Sequence, residues 1–447
     1  MRILLITPYY FPYINPRAHR WTAIAEQWAK SGHEVHVLCS RRSGFLPDAD
    51  LNGVQVHRAG FNSLKEVFYH WFKPRKRRGE AAQTPVNAQT RPGRGMALLV
   101  AFNDLVFKKI YFPDDAWVWY FPARKRAVEL LESYHFDALV SVSLPFTAHL
   151  VGLFCKRKRP DVFWMADVGD PFSLQPDHPI NNVFLYGKKS RDLEKKVLQT
   201  ADLTTVTTPG AQKLYAKHFP EAVARLRVAP PIVGKEFDEK PRAALPLNLD
   251  PDKIHLGYFG SFFKNIREPG PFLELVRAAV LARPEWKTRL EIHFFGDIIE
   301  PFFRVFDAFP DLTHLFRMYG LIAREQVPAA MSQMDCLVNI GNKTDFQLPS
   351  KSVAYLRSGK PVVNLCFVEN DLFEAFFEGY PLIENIRLSD VAPSAKAVSD
   401  FVRFVENAKG QRVPAGQCDA LVRPFTAEAL SLSLIKWMSG KDAVEQP

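Results

Sequence analysis

The chain has 447 residues, 47% hydrophobic and 24% charged, with a formal net charge of +10. That is more chain than one hydrophobic core takes up, and the composition excludes disorder throughout, so two globular domains are expected. The positive balance favours polyanionic partners: nucleic acid, acidic lipid or phosphorylated substrates.

Five cysteines, Cys39, Cys155, Cys336, Cys366 and Cys418, are widely spaced and lie in or beside apolar runs. They fit reduced core thiols better than a disulfide frame or a metal site, which implies a reducing compartment. Residues 1–6, MRILLI, are too short for a signal-peptide core, and no apolar run approaches the ~20 residues of a membrane span. A cytoplasmic protein is expected.

Residues 2–7 read as a buried strand. Trp21, Ile24, Ala25, Trp28 and Ala29 recur at helical spacing until Gly32 stops the helix, and residues 34–40 form the next strand. This opening is a doubly wound parallel unit, whose ligands bind at the carboxyl end of the first strand. The loop there lacks GxGxxG and offers Tyr9, Tyr10, Asn15, Arg17, His19 and Arg20 as a polar, aromatic rim; His19 and Arg20 are equally at home as solvated residues of a first helical turn.

Between residues 65 and 94, Lys73, Arg75, Lys76, Arg77, Arg78 and Arg91 follow Phe68, Tyr69, Trp71 and Phe72. Basic residues beside aromatics suit an anionic membrane face, and the Gly, Pro, Gln, Thr and Asn content of 73–95 suits a flexible insertion equally. Further strands are expected at 138–142, 162–165 and 203–207, with helices near 146–155 and 191–200. Asp167 and Asp170 are placed just after the second of these strands, and Ser143, Thr147 and His149 after the first, where catalytic groups collect. Capping or turn formation explains the aspartates as well, and a satisfied core histidine explains His149.

Residues 234–253 lapse into charge and proline and read as a linker. A second sheet follows, with strands at 255–259, 290–295, 315–317, 336–340 and 362–365. After the first comes the loop from Gly260 and Ser261 through Lys264 to Arg267, then a helix from about Pro271. Residues 347–365, QLPSKSVAYLRSGKPVVNL, read as helix start, helix, stop and buried strand: Pro349 suits the first turn, Ser350 caps, and Gly359 ends the helix. A helix opening with Ser350 and Lys351 turns free N–H groups, a positive dipole end and an ammonium toward one point, which suits a phosphate or diphosphate. No Cys/His metal spacing, GxSxG elbow, P-loop or heptad repeat is present.

In order, TPYYFPYINPRAHRWTAIAEQWAKSGHEVHVLC, DVGDPFS, LEKKVLQTADLTTVTTPG, YFGSFFKNIREPGPFLELV, MYGLIAREQVPAAMSQMDCLVNIGN and LPSKSVAYLRSGKPVV make the chain resemble a GT-B glycosyltransferase of the retaining family 4, group 1 type, over nearly its whole length. The resemblance implies an α/β protein of two doubly wound Rossmann-like domains facing a central cleft. These are an acceptor-side domain over 1–233 with its insertion at 73–95, a linker over 234–253, a donor domain over 254–422, and a C-terminal helix over 423–447 returning to the first domain. It implies transfer of a sugar from a nucleotide diphosphate donor to a saccharide or polyprenyl-linked acceptor at the cytoplasmic membrane face, in polysaccharide or glycan biosynthesis. Nucleic acid is not among the implied partners.

Residue by residue, Arg267 and Lys351 would contact the donor diphosphate, with Lys264 as a third cation. Gly320 and Leu321 would meet the base, and Gly260, Ser261, Asn342, Pro349 and Ser350 would line the donor. On the acceptor side stand Asn15, Arg17 and Arg20, with His149 and Asp170 facing the cleft. Two cations at the leaving diphosphate stabilise it without a metal or cofactor, and in the family's front-face displacement the leaving phosphate takes the acceptor proton.

Two departures stand out. The family's Glu-x7-Glu positions carry Phe346 and Ala354, with Asp345 as a substitute for the ribose carboxylate, and its first-loop glycine pair is Asn15–Pro16. A silent GT-B subunit and a nucleotide-sugar 2-epimerase are the alternatives.

Overall fold

The computed structural model describes the chain apart from residues 14, 43, 65, 68–109, 176–178, 238–244, 390 and 441–447. The basic insertion at 73–95 and the aromatic run before it therefore lie outside the described residues. The chain divides into two units, Met1–Ala229 with Leu430–Pro447, and Pro230–Ala429. The first division falls at Ala229, ahead of the proline-rich stretch read as a linker. All five cysteines are free and buried.

The first unit carries β1 (Arg2–Ile6), β2 (Glu34–Cys39), β3 (Asp48–Leu51), β4 (Val54–Arg58), β5 (Ala138–Val142), β6 (Phe163–Val168), β7 (Leu203–Val206) and β8 (Leu226–Val228) in the order β3-β4-β2-β1-β5-β6-β7-β8. Its central strands are unbroken apolar runs because helices cover both faces: Ile3, Leu4, Leu5 and Ile6 are all fully buried. Every pairing is parallel except β3 with β4. That hairpin turns at Asn52–Gly53, both at positive φ. An Asn-Gly pair is a strong hairpin signal, and it is the one that would have revealed these two strands.

The helix Pro16–Lys30 starts as its residues dictate, with Pro16 in the first turn and Asn15 Oδ1 accepting from the Ala18 N–H at 2.7 Å. It buries Trp21, Ile24, Ala25 and Trp28, and the Trp28 indole donates to Ser431 O at 3.2 Å. The C-terminal residues are thereby held to this unit.

Strand order reverses between β1 and β5, which makes their carboxyl ends the ligand-binding crevice of such a sheet. Asp167 lies inside β6 rather than after it. The segment that follows is tied down by Glu194, which is 1% exposed on the helix Val183–Thr200. Its carboxylate accepts from the N–H groups of Phe172 and Ser173 at 3.0 and 2.9 Å and from the Tyr215 hydroxyl.

The second unit is all parallel, β9 (Ile254–Phe259), β10 (Leu290–Phe295), β11 (Phe316–Gly320), β12 (Cys336–Ile340), β13 (Val362–Cys366) and β14 (Ile383–Arg387), in the order β11-β10-β9-β12-β13-β14. Here the order reverses between β9 and β12. The helices Gly270–Ala282 and Ala395–Ala408 close one face around Phe272, Phe294 and Phe401.

Removing the Glu194 carboxylate leaves the buried Phe172 N–H, the half-buried Ser173 N–H and hydroxyl, and the buried Tyr215 phenol without this acceptor, the buried groups each costing about 1–3 kcal/mol. Glu194→Ala is expected to destabilise the first unit by about 3 kcal/mol or more in urea unfolding followed by tryptophan fluorescence. A loss below about 1 kcal/mol would show that the carboxylate is dispensable.

Candidate functional site

In the second unit the chain leaves β9 through Gly260 at φ +141°, and leaves β10 through Gly296 at φ +152°. A Cβ on Gly296 would lie 2.1 Å from Gly260 O, so the two strand ends meet only because glycine is there. The following loop is pinched by paired backbone bonds between Phe263 and Arg267, at 2.9 and 2.8 Å, which turn Arg267 inward and leave Lys264 exposed on the turn.

Arg267 is 8% exposed. Its Nε and Nη2 both donate to Asn342 Oδ1, at 3.0 and 2.8 Å, and Nη1 points at Ser261 O from 3.4 Å. Asn342, just past β12, is itself held by donating to Gln347 O at 3.0 Å. Lys351 comes from the other side. Its Nζ lies 4.1 Å from the Tyr258 ring and 5.2 Å from that of Tyr355. That ammonium is buried and has no hydrogen-bond partner among the described residues.

The two cations converge: a Cβ on Gly260 would sit 3.6 Å from Arg267 Nη1 and 3.8 Å from Lys351 Cδ. Burial strips the ammonium of water and Arg267 adds like charge, so the Lys351 pKa falls well below the ordinary lysine range.

The helix beyond Lys351 is Ser352–Ser358, seven residues long, so it begins two residues after the expected start. Ser350 is exposed and makes no cap; Ser352 Oγ instead donates to Pro349 O at 2.7 Å, and Pro349 is buried. The two cations, rather than a long helix dipole, dominate the local field. Gly320 ends β11 at φ +64° and accepts the Gly296 N–H at 2.8 Å, with Leu321 exposed beside it. Tyr258 and Tyr355, which cradle the ammonium, were not singled out by sequence. Their positions within a strand and a helix read as core.

In the first unit, Asp167 is fully buried and forms a salt bridge with Arg17. It also accepts from Trp21 Nε1 at 3.1 Å and Thr205 Oγ1 at 2.7 Å. Burial pushes its pKa up, but Arg17, Arg20 and these donors outweigh it and leave the carboxyl lowered and ionised. Arg20 is buried, donates to Ala229 O at 2.9 Å, and is pushed down to about 10 by burial. Asn15 uses its side-chain oxygen as the helix cap, accepting from the Ala18 N–H.

His149 lies in the helix Thr147–Lys158 with no exposed surface, and burial pushes its pKa down to about 3. It is a neutral core histidine, its Nδ1 set 2.8 Å from Ser141 Oγ, which in turn accepts from Trp164 Nε1 at 2.9 Å. His149 Nε2, Arg17 Nε and Ser143 Oγ are buried without hydrogen-bond partners among the described residues. Close by, a Cβ on Gly169 would lie 2.9 Å from Arg17 Nε and 3.0 Å from Ser143 O. Asp170 follows, half-buried, on the segment that Glu194 anchors.

No family model and no curated protein matches the sequence. Solved structures match over the whole chain. Sucrose-phosphate synthase from Thermosynechococcus elongatus is 14% identical, with a TM-score of 0.61 over 99% of this chain and 100% of that one. A trehalose-6-phosphate protein from E. coli, bound with UDP-2-fluoro glucose, is 12% identical with a TM-score of 0.61 over 100% of both chains. Starch synthase IV from Arabidopsis thaliana, bound to ADP and acarbose, is 8% identical with a TM-score of 0.58 over 98% of this chain and 99% of that one. The fold is therefore that of the GT-B glycosyltransferases, an α/β fold with two parallel-dominated sheets.

A diphosphate placed against Lys351 raises its depressed pKa, so binding takes up a proton wherever the pH lies between the free and bound values. Affinity for sulfate as a probe anion, measured calorimetrically, is expected to rise as the pH is lowered from about 10 to about 8, a range in which sulfate stays fully ionised. Lys351→Ala should flatten that slope. A wild-type affinity independent of pH across this window would remove the ammonium from the site.

Proposed function

We propose that the chain transfers a glycosyl group, with retention and without a metal, from a nucleoside diphosphate sugar to a saccharide or polyprenyl-linked acceptor. The observation that carries this reading is the Lys351 side-chain nitrogen, buried beside Arg267 with no hydrogen-bond partner among the described residues. Breaking the sugar–phosphate bond places negative charge on the leaving diphosphate, and two preorganised cations in a water-poor site stabilise that charge more than they stabilise the neutral bond. The UDP-sugar and ADP named with the similar structures support the donor class.

In a front-face displacement the leaving phosphate oxygen takes the acceptor proton while the new glycosidic bond forms, so no side chain acts as base. His149, fully buried and with its pKa pushed down to about 3 by burial, is a poor base, which supports that reading. Asp170 orients the acceptor hydroxyl, and Arg17 with Ser143 supplies donors to the acceptor's polar groups. Phe346 and Ala354 leave the ribose without the usual carboxylates, and Asp345 is exposed on the same loop. That departure favours the second reading, a subunit that binds nucleotide-sugar without transferring it.

Lys351→Ala and Arg267→Ala are each expected to fold normally by circular dichroism and to lower turnover by a factor on the order of 100 or more. Turnover is read as nucleoside diphosphate released only when acceptor is supplied, with a screen of several nucleotide-sugars as donors. Unchanged nucleoside diphosphate affinity in both variants would sink the site. Wild-type binding without acceptor-dependent release for any donor would establish the silent subunit.

We further propose peripheral attachment at the inner face of the plasma membrane. Among the described residues no helix is long and apolar enough to cross a membrane. Support comes from the helix Val183–Thr200, whose first turn exposes Val183, Phe184 and Leu185 by 53, 94 and 53%, ahead of Lys188, Lys189 and Arg191. Each cation near an anionic surface contributes roughly 1 kcal/mol, screened by salt. Co-sedimentation with anionic liposomes is expected to fall with added salt, with Phe184→Ser, and with neutralisation of Arg75, Lys76, Arg77 and Arg78. Sedimentation equal for wild type and variants would point to a soluble acceptor.

A further inference from the structure

At the amino ends of β9 and β10, the opposite end of the sheet from Gly260, three ligand-type side chains share one point. His255 and Glu291 are register partners on the paired strands, and His293 follows Glu291 by two residues, so strand alternation sends all three to one face. They are 4, 6 and 0% exposed. His255 Nδ1 lies 3.0 Å from His293 Nε2, and Glu291 Oε2 lies 3.8 Å from the first nitrogen and 3.9 Å from the second. A point equidistant from these three atoms is about 2.1 Å from each, the length of a zinc–nitrogen or zinc–oxygen bond.

The outer side of each group is already held. His255 Nε2 donates to Asp250 O at 2.8 Å, since a carbonyl only accepts, and this leaves Nδ1 as a lone pair. His293 Nδ1 meets the Tyr319 hydroxyl at 3.1 Å. Glu291 Oε1 accepts from Lys253 at 2.8 Å and Arg317 at 2.6 Å, which leaves Oε2 turned to the imidazoles. Outer partners of this kind fix the tautomer and orientation of metal ligands.

We propose that His255, His293 and Glu291 bind a divalent transition-metal ion of zinc type, four-coordinate with water in the last position, as a structural clasp between β9 and β10. Lys253 and Arg317 repel an added dication, so the site is weaker than a thiolate zinc site. Without metal, one proton joins the rings: His293 Nε2–H donates to His255 Nδ1, and the Tyr319 O–H donates to His293 Nδ1. With metal on both nitrogens, the His293 proton resides on Nδ1 and is donated to the Tyr319 oxygen. The imidazole stays neutral, and no proton is gained or lost overall.

The full chain is titrated with Co2+, then with Zn2+ in competition. The expected result is the intense visible absorption of four-coordinate Co2+ at one equivalent, bleached by Zn2+, with affinity at least tenfold weaker in His255→Gln, His293→Gln and Glu291→Gln. Zn2+ should also raise the melting temperature of the wild type and leave that of His293→Gln unmoved. A six-coordinate Co2+ spectrum throughout, or equal affinity in the His255→Gln/His293→Gln double variant, would overturn the proposal. If the variants do not fold, the wild type decides: its 15N spectrum must show the His293 proton passing from Nε2 to Nδ1 on saturation with Zn2+, and an unchanged tautomer would overturn it.

Discussion

A buried lysine nitrogen with no hydrogen-bond partner among the described residues is the constraint around which the second unit is built. Removing Lys351 from water costs several kcal/mol, and the tyrosine faces return about 2 kcal/mol or more at a desolvated site. The remainder is carried by a rigid surround. Tyr355 Oη accepts the Phe259 N–H at 3.1 Å and donates to Val338 O at 3.1 Å, so the ring under the ammonium is bolted to β9 and β12 together. Tyr258 stacks on Phe262 with centroids 4.8 Å apart. Gly260 and Gly296 then let backbone, guanidinium and ammonium crowd to one point.

The first unit deals with buried charge in the opposite way. Asp167 has a salt bridge, an indole N–H and a hydroxyl, so its negative charge is over-compensated and it anchors the sheet to the helix Pro16–Lys30. Such a carboxylate has little left to offer a substrate. Arg17 Nε, Ser143 Oγ and His149 Nε2 are among the buried polar atoms without hydrogen-bond partners among the described residues, and Asp170 follows Gly169 on the segment that Glu194 anchors.

Much of this architecture was legible from the residues. Apolar runs such as ILLI and CLVNI, each followed by a helical pattern and a glycine stop, announce parallel strands covered on both faces, and their succession implies two doubly wound sheets. The strands that escaped notice lie toward the sheet edges. DADL and IENIR are only partly buried, so apolar periodicity is absent from them. Local capping rules read Ser350 as a helix start, but the Pro349 carbonyl takes the Ser352 hydroxyl and the helix begins there.

Arg267 and Lys351 were identifiable as cations next to strand ends, because residue type and spacing along the chain specify which side chains follow a strand. Their environment was not. Tyr258 and Lys351 are far apart in sequence and meet because β9 and β12 are neighbours, and that adjacency determines burial and the lowered pKa. His149 was placed near a strand end correctly, yet which face of its helix meets the sheet is decided by packing, which made it a neutral core residue. His255, Glu291 and His293 follow no metal-ligand spacing, since their grouping arises from the β9–β10 register. Local backbone preference and apolar period are properties of short stretches, so sequence alone determined the fold class and the elements whose apolar pattern is continuous. Desolvation and charge pairing depend on which distant stretches touch, and those only the tertiary structure decided.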